Sequence, residues 1–222
     1  LARNLTAACR AAGVARIVQV SALNAGHPDA ASHYLRSKGE AEAVVRGSGL
    51  AWTIVRPSVI FGPGDSFLNR FAGLLRIAPG VLPLAMPDAR FAPVHVDDVA
   101  AAIAAVLERP GTAGSAYELC GPATFTLREL VAMTAAALGL RRRIVGLSPG
   151  LSRLQAAIMD FVPGKPFSTD NYRSLLLPSV CTVDGFAALG LRRRSLPAHL
   201  AATLGVAGPI TRYDSFRREA RR

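Results

Sequence analysis

The sequence predicts an α/β protein built on a parallel sheet, and three observations carry that prediction. Apolar residues switch between helix-like and strand-like spacing along the first hundred residues. The connections between these segments are short, and glycines stand where the helices should end. Strands separated by helices need crossover connections, which pair them in parallel. Half of the 222 residues are apolar and 18% are charged, which suits a packed core rather than a disordered chain.

The elements follow in order. Residues 1–12 read as a helix with Leu5, Ala8, Cys9 and Ala12 on one face and Gly13 as its stop. Residues 14–20 read as a buried strand. A loop with Gly26 and Pro28 leads to a helix over residues 31–46, closed by Gly47 and Gly49, and residues 51–55 form the next strand. A helix over residues 66–77 displays Phe67, Phe71, Leu74 and Leu75. Residues 78–93, with four prolines, read as loop and short-strand material. Residues 94–96 form a short strand, and Asp97 or Asp98 then caps a helix to Leu107. His95 reads more as a structural residue than as a catalyst. Residues 117–120 form a strand, and Thr126 with Glu129 makes a capping box for a helix over residues 127–138. The seven residues 137–143 recur at 188–194, each as a helix end with a glycine and three arginines, either solvated or anion-facing. Residues 149–162 are amphipathic, with Leu151, Leu154, Ile158, Phe161 and Val162 near one face. Packing on the core is the expectation for that face, with a membrane or partner surface as the alternative. Residues 211–222 read as a basic tail.

Chemistry concentrates between residues 21 and 65. Ser21 ends the apolar run Ile17-Val18-Gln19-Val20, and Tyr34 and Lys38 stand four apart, on one face of the following helix. A free phenol titrates near ~10, and a cation beside it favours the phenolate. Bringing the value to neutrality takes about 4 kcal/mol of differential stabilisation. A strand-end serine could then hold a substrate oxygen near the tyrosine. Taken alone, the pair is also the ordinary composition of a helix surface, and the serine an ordinary turn residue. The run Arg56-Pro57-Ser58-Val59-Ile60-Phe61-Gly62-Pro63-Gly64-Asp65 follows a strand directly, and ligands sit beyond the carboxyl ends of strands in open parallel sheets.

The net charge is +11, and of the 26 basic residues only Lys38 and Lys165 are lysine. Most of the excess falls in residues 101–222, which points to an acidic partner such as an anionic membrane surface or protein. No nucleic-acid-binding signature is present. No apolar run is long enough for a transmembrane segment, and Leu1-Ala2-Arg3-Asn4 does not open a signal peptide. Cys9, Cys120 and Cys181 have neither metal-ligand spacing nor an evident disulfide frame, which fits a reducing compartment. The expected location is the cytoplasm, including the inner face of a membrane.

Ser21, Tyr34-x-x-x-Lys38, the Arg56–Asp65 run and His95-Val-Asp-Asp-Val-Ala100 together resemble the extended or atypical branch of the short-chain dehydrogenase/reductase superfamily. Tyr34-Leu-Arg-Ser-Lys38, Phe61-Gly-Pro-Gly-Asp-Ser-Phe-Leu-Asn-Arg-Phe71 and the stretch 151–172, with Phe161-Val-Pro-Gly164 and Thr169-Asp170, are similar to the NAD(P)H-binding accessory subunits of respiratory complex I and their bacterial relatives. The resemblance implies a partial Rossmann-type parallel sheet with helices on both faces and a small mixed C-terminal region for substrate or docking. Residues 1–114 would be the C-terminal part of the dinucleotide-binding domain, with an insertion at 65–93. Residues 115–210 would form a smaller domain and 211–222 a tail. NADP or NAD would be the cofactor. Tyr34 would be the general acid/base, Lys38 would lower its pKa and hold ribose, and Ser21 would orient the substrate. The backbone of Pro57, Ser58, Val59 and Ile60 would touch the nicotinamide. No metal is implied. The superfamily's glycine-rich phosphate loop is absent from this sequence, which reads as a fragment beginning near a fourth helix, with an open sheet edge. Two functions follow from the resemblance: an NAD(P)-dependent oxidoreductase or sugar-nucleotide epimerase/dehydratase, or a non-catalytic NAD(P)H-holding subunit of a membrane respiratory complex.

Overall fold

The computed structural model describes residues 1–162 and 167–205. It is an α/β structure around a parallel sheet. Helix α1 (Ala2–Ala11) leads into β1 (Arg16–Val20), and α2 (His33–Arg46) crosses over to β2 (Ala51–Pro57). Strand β3 (Ile60–Phe61) precedes α3 (Leu68–Ile77). Three short strands follow: β4 (Val81–Leu84), β5 (Arg90–Phe91) and β6 (Val94–His95). Helix α4 (Val96–Glu108) returns the chain to β7 (Ser115–Leu119). Beyond lie β8 (Phe125–Thr126), α5 (Leu127–Ala137), β9 (Arg143–Gly146), α6 (Pro149–Met159), α7 (Thr169–Ser174), α8 (Gly185–Ala188) and α9 (Leu196–Thr203). The basic tail at 211–222 lies outside the described residues.

The main sheet has the order β1-β2-β7, all parallel, with β1 at its edge. Val18 pairs with Thr53, and Val55 with Tyr117. β7 belongs to this sheet although it lies beyond residue 114, and β4 pairs with β9 across some sixty residues of sequence. The short apolar runs are completed by partners distant in the chain, so a cut at 114 would divide one sheet. Among the described residues no helix is long and apolar enough to cross a membrane.

Two apolar clusters hold the layers. Val55, Val94, Val99, Val106, Leu119 and Phe186 pack between the sheet and α4. Phe61, Leu68, Leu75, Leu130 and Leu196 fill the second, under α3 and α5. Full burial of such side chains contributes about 1.5–3 kcal/mol each. The capping box of α5 forms as the sequence predicts, with the Thr126 hydroxyl accepting from the Glu129 amide and the Glu129 carboxylate accepting from the Thr126 amide.

Three expectations are corrected. Neither Asp97 nor Asp98 caps α4: the His95 ring does, with Nδ1 accepting from the Asp97 amide at 3.2 Å. Asp98 is instead buried and accepts from the Arg194 amide and guanidinium, both at 2.6 Å. Arg193 pairs with Asp184 at 2.9 Å, so two of the arginines in the second triplet, although exposed, bind the protein's own carboxylates. Cys120 and Cys181 form a disulfide, leaving Cys9 as the free thiol, because folding brings positions 61 apart in sequence to a Cα separation of 5.9 Å. Helix α6, finally, does not lay its apolar face on the core. It buries Ser152 and Ala156 and displays Leu151, Leu154 and Ile158, which are 52%, 55% and 56% exposed.

Candidate functional site

The carboxyl ends of β1 and β2 set the site. The chain leaves β1 at Ser21, whose amide donates to Val55 O at 2.8 Å, and Leu23 N donates to Pro57 O at 3.0 Å. The loop then turns at Gly26 (φ +71°) and runs against α2. A Cβ on Gly39 would stand 2.5 Å from Gly26 Cα, so glycine at 39 permits the close approach of helix to loop. That contact holds the first two turns of α2 beside the end of β1.

Tyr34 and Lys38 share the face of α2 turned to this mouth. Lys38 Nζ donates to Val20 O at 3.4 Å and stands 5.8 Å from the Tyr34 ring centroid. Tyr34 is 49% exposed, and the part of it that is covered loses enough hydration to raise its pKa above the ordinary 10.0. The phenol is therefore neutral at pH 7, and the lowering expected from Lys38 is absent. The ammonium lies alongside the ring and bonds to the strand carbonyl.

Ser21 is placed differently. Its hydroxyl is shut from solvent and meets no partner at hydrogen-bond geometry among the described residues. It lies on the side of Glu42 and helps keep that carboxyl ionised. The structure thus brings Tyr34 and Lys38 together and turns the Ser21 hydroxyl inward, beneath α2. Burial pushes the Glu42 pKa up, but the Arg56 hydrogen bond, Ser21 and the Arg56 and Arg46 charges outweigh it, leaving the group below the usual range. Arg56 grips Glu42 in a two-pronged pair, Nε to Oε1 at 2.8 Å and Nη2 to Oε2 at 2.5 Å. This pair bolts α2 to β2 under the mouth.

Much of the Pro57–Ile60 backbone is already engaged within the protein. Pro57 O accepts from Leu23, Ser58 N donates to Leu119 O at 2.9 Å, and Val59 O accepts from Val94 N at 2.9 Å. Ile60 pairs with Val94 in the β3–β6 ladder. The Ser58 hydroxyl donates to Ser179 O at 2.8 Å.

Asp170, part of the stretch that carries the family resemblance, has a role at the site that the sequence reading did not assign. Its carboxylate accepts from His33 N at 2.6 Å, from Tyr34 N at 3.1 Å and from the Ser32 hydroxyl at 3.2 Å. Ser32, the N-cap of α2, also receives a hydrogen bond from the Ser174 hydroxyl at 2.8 Å. Partial burial pushes the Asp170 pKa up, and the His33 and Tyr34 amides with the Ser32 hydroxyl more than reverse it, leaving it lowered. A carboxylate at a helix N-terminus meets unsatisfied N–H groups and the positive dipole end. The helix bearing Tyr34 and Lys38 is thereby seated by α7, some 136 residues further along the chain. Such a long-range cap carries no local spacing signal.

Comparison with known proteins fits this architecture. The NAD(P)H-binding family matches residues 1–110. The chain is 37% identical over 134 residues to the mitochondrial NADH dehydrogenase [ubiquinone] 1 alpha subcomplex subunit 9 of Dictyostelium discoideum, covering 59% of this chain and 37% of that protein. It is 35% identical over 161 residues to the (4-alkanoyl-5-oxo-2,5-dihydrofuran-3-yl)methyl phosphate reductase of Streptomyces griseus, covering 72% and 54%. The dTDP-glucose 4,6-dehydratase of Streptomyces venezuelae, solved with NAD bound, superposes with a TM-score of 0.64 at 26% identity, over 92% of this chain and 63% of that one. The chain spans about half or less of the length of these curated relatives. Through residues 1–110, on a Rossmann-type parallel sheet, the chain belongs to the NAD(P)H-binding family.

Proposed function

We propose that this chain forms the nicotinamide-ribose end of an NAD(P)(H) site and that the protein is an oxidoreductase acting in the reducing direction, with Tyr34 as proton donor. The observation that carries the proposal is the placement of Lys38 Nζ at Val20 O, beside the half-exposed Tyr34 ring, at the carboxyl end of β1. The donor set suits a sugar: an ammonium and a phenol are the groups that hydrogen-bond vicinal hydroxyls. A bound nicotinamide supplies the hydride. Tyr34 Oη gives its proton to the substrate oxygen as the carbon is reduced, and the neutral phenol is the form that can do so. Lys38 then faces the phenolate left behind. Ser21 joins only if its hydroxyl rotates out from beneath α2. The Val59–Ile60 backbone lies at the adjoining strand end.

The test is a nucleotide titration by NADPH or NADH fluorescence, followed by oxidation of the bound nucleotide by small carbonyl and quinone acceptors. Tyr34→Phe is expected to keep nucleotide affinity and lose turnover by about 10²–10⁴-fold. Lys38→Ala is expected to weaken both. Turnover unchanged in Tyr34→Phe sinks the proton-donor role and leaves a nucleotide-holding role.

A second reading, an NAD(P)H-holding accessory subunit docked at a membrane respiratory complex, is favoured by α6. Its exposed Leu151, Leu154 and Ile158 continue into Phe161, which is 90% exposed. Asp160 turns inward to Thr169, while Arg141, Arg143 and Arg153 are exposed, so the face meets solvent as an apolar strip beside positive charge. Flotation with phosphatidylglycerol vesicles reads this out. Binding lost at high salt and in the Leu154→Glu/Ile158→Glu pair supports it. Equal binding by that pair counts against it.

A further inference from the structure

We propose that Cys120 and Cys181 are a reversible thiol–disulfide site, and that its state sets how firmly residues 177–183 are held as a strap across the carboxyl ends of the main sheet. The strap is tied to every strand of that sheet near its carboxyl end. Asn24, just beyond β1, donates from Nδ2 to Pro178 O at 2.9 Å. Ser58, just beyond β2, donates from its hydroxyl to Ser179 O at 2.8 Å. Glu118 of β7 accepts from Thr182 N at 2.7 Å and from Val183 N at 3.2 Å. Beside these, Ser179 bridges β5, donating to Arg90 O at 2.8 Å and accepting from Ala92 N at 2.9 Å. This is the end of a parallel sheet at which ligands are bound.

The two cysteines have unequal footing. Cys120 is buried at the rigid end of β7, where Gly121 N donates to Ala92 O and a Cβ on Gly121 would lie 1.8 Å from Pro93 O. No side chain fits at position 121, so the chain there lies close against Pro93. Cys181 is partly exposed and sits on the strap itself. A hollow of about 260 Å³ opens onto the pair, lined by Glu118, Gly121, Thr182, Asp184 and Arg193. A small thiol in this hollow therefore stands beside the partly exposed Cys181.

The exchange is balanced as follows. A glutathione thiolate attacks Cys181 Sγ and forms a mixed disulfide; the Cys120–Cys181 bond breaks, and Cys120 Sγ leaves and takes up a proton. A second glutathione thiolate attacks the glutathione sulfur of the mixed disulfide and frees Cys181, which also takes up a proton. The protein disulfide gains two electrons and two protons, and two glutathione molecules become one glutathione disulfide. The reverse sequence closes the strap. Reduction leaves the strap with its hydrogen bonds, several of them to half-exposed groups, and the packing of Leu177 against Ala22, Ala30 and Leu35.

The whole chain is equilibrated in buffers of graded reduced and oxidised glutathione, then alkylated and weighed. The expected result is one alkylated cysteine, Cys9, at the oxidising end, and three at the reducing end. Hydrogen exchange read on the same samples should quicken at least tenfold at Ser179, Thr182 and Val183 on reduction, with no change at Ile54 and Val55 in β2. Cys181→Ser should match the reduced parent in either buffer. Three alkylated cysteines at the oxidising end overturn the pairing. An unreduced pair at the reducing end, or strap exchange that ignores the thiol state, overturns the switch. Bound nucleotide is not needed for any readout, so failure of the NAD(P)H reading does not touch this test.

Discussion

Replacing Asp170 by alanine removes the acceptor that seats α2, and the consequence can be sized from the contacts. The carboxylate receives hydrogen bonds from His33 N, Tyr34 N and the Ser32 hydroxyl at 2.6, 3.1 and 3.2 Å. Loss of a side-chain acceptor at a helix N-terminus costs about 1 kcal/mol, in a range of about 0.5–2. Loss of negative charge at the dipole's positive end adds about 0.3–1 kcal/mol. The sum is about 2 kcal/mol, which for a chain of this size lowers Tm by about 4–8 °C. The same change loosens the turn that aims Tyr34, so nucleotide affinity should fall with it. The pH dependence has a fixed sign. The folded-state pKa of Asp170 is lowered, so its contribution is complete above the unfolded carboxylate value near ~3.9 and is lost as pH falls through the folded value. Thermal melts of parent and Asp170→Ala should therefore differ at pH 7 and converge toward pH 2. A variant melting within 1 °C of the parent at pH 7, or a gap that widens in acid, would refute the seating argument.

Glu42→Leu leaves Arg56 without its two-pronged partner under the site and should destabilise by about 3–5 kcal/mol, measured by urea unfolding. In the parent, the lowered Glu42 pKa adds a second stability loss as pH falls below the usual carboxylate range. Arg194→Ala leaves Asp98 buried with a single amide donor and should cost about 3 kcal/mol at neutral pH, a loss of folding rather than of surface charge. Gly39→Ala forces α2 off the Gly26 loop and should cost about 1–3 kcal/mol, with Lys38 displaced and nucleotide affinity lowered beyond the stability effect. Chain-entropy arithmetic for a loop of 61 residues assigns the Cys120–Cys181 bond about 4 kcal/mol, readable as the difference between oxidised and reduced unfolding curves.

Local pattern was sufficient wherever the physics is local. The helices expected over 31–46, from its closing glycines, and over 127–138, from its capping box, form at His33–Arg46 and Leu127–Ala137, because stops and caps are local signals. Gly139 and Gly190 adopt the positive φ that a helix stop demands, +69° and +65°. The four-residue spacing of Tyr34 and Lys38 was enough to place both on one helix face, and the apolar strip from Leu151 to Ile158 was visible as a strip.

What covers a strip, and what a charge meets, is decided by elements far along the chain. α6 turns its small residues inward, where Met86 N donates to the Ser152 hydroxyl, a contact between positions 66 apart. The arginines at 193 and 194 look alike in sequence to those at 142 and 143, yet the exposed Asp184 and the buried Asp98 claim them. Cys120 and Cys181 look unrelated until the strap crosses β7. The sequence placed Tyr34 beside Lys38. Only the tertiary structure decided that burial keeps the phenol neutral, that Ser21 is turned beneath the helix, and that Asp170 holds the helix in place. Hydration and long-range hydrogen bonds depend on the whole neighbourhood of an atom, and spacing along a chain does not encode that neighbourhood.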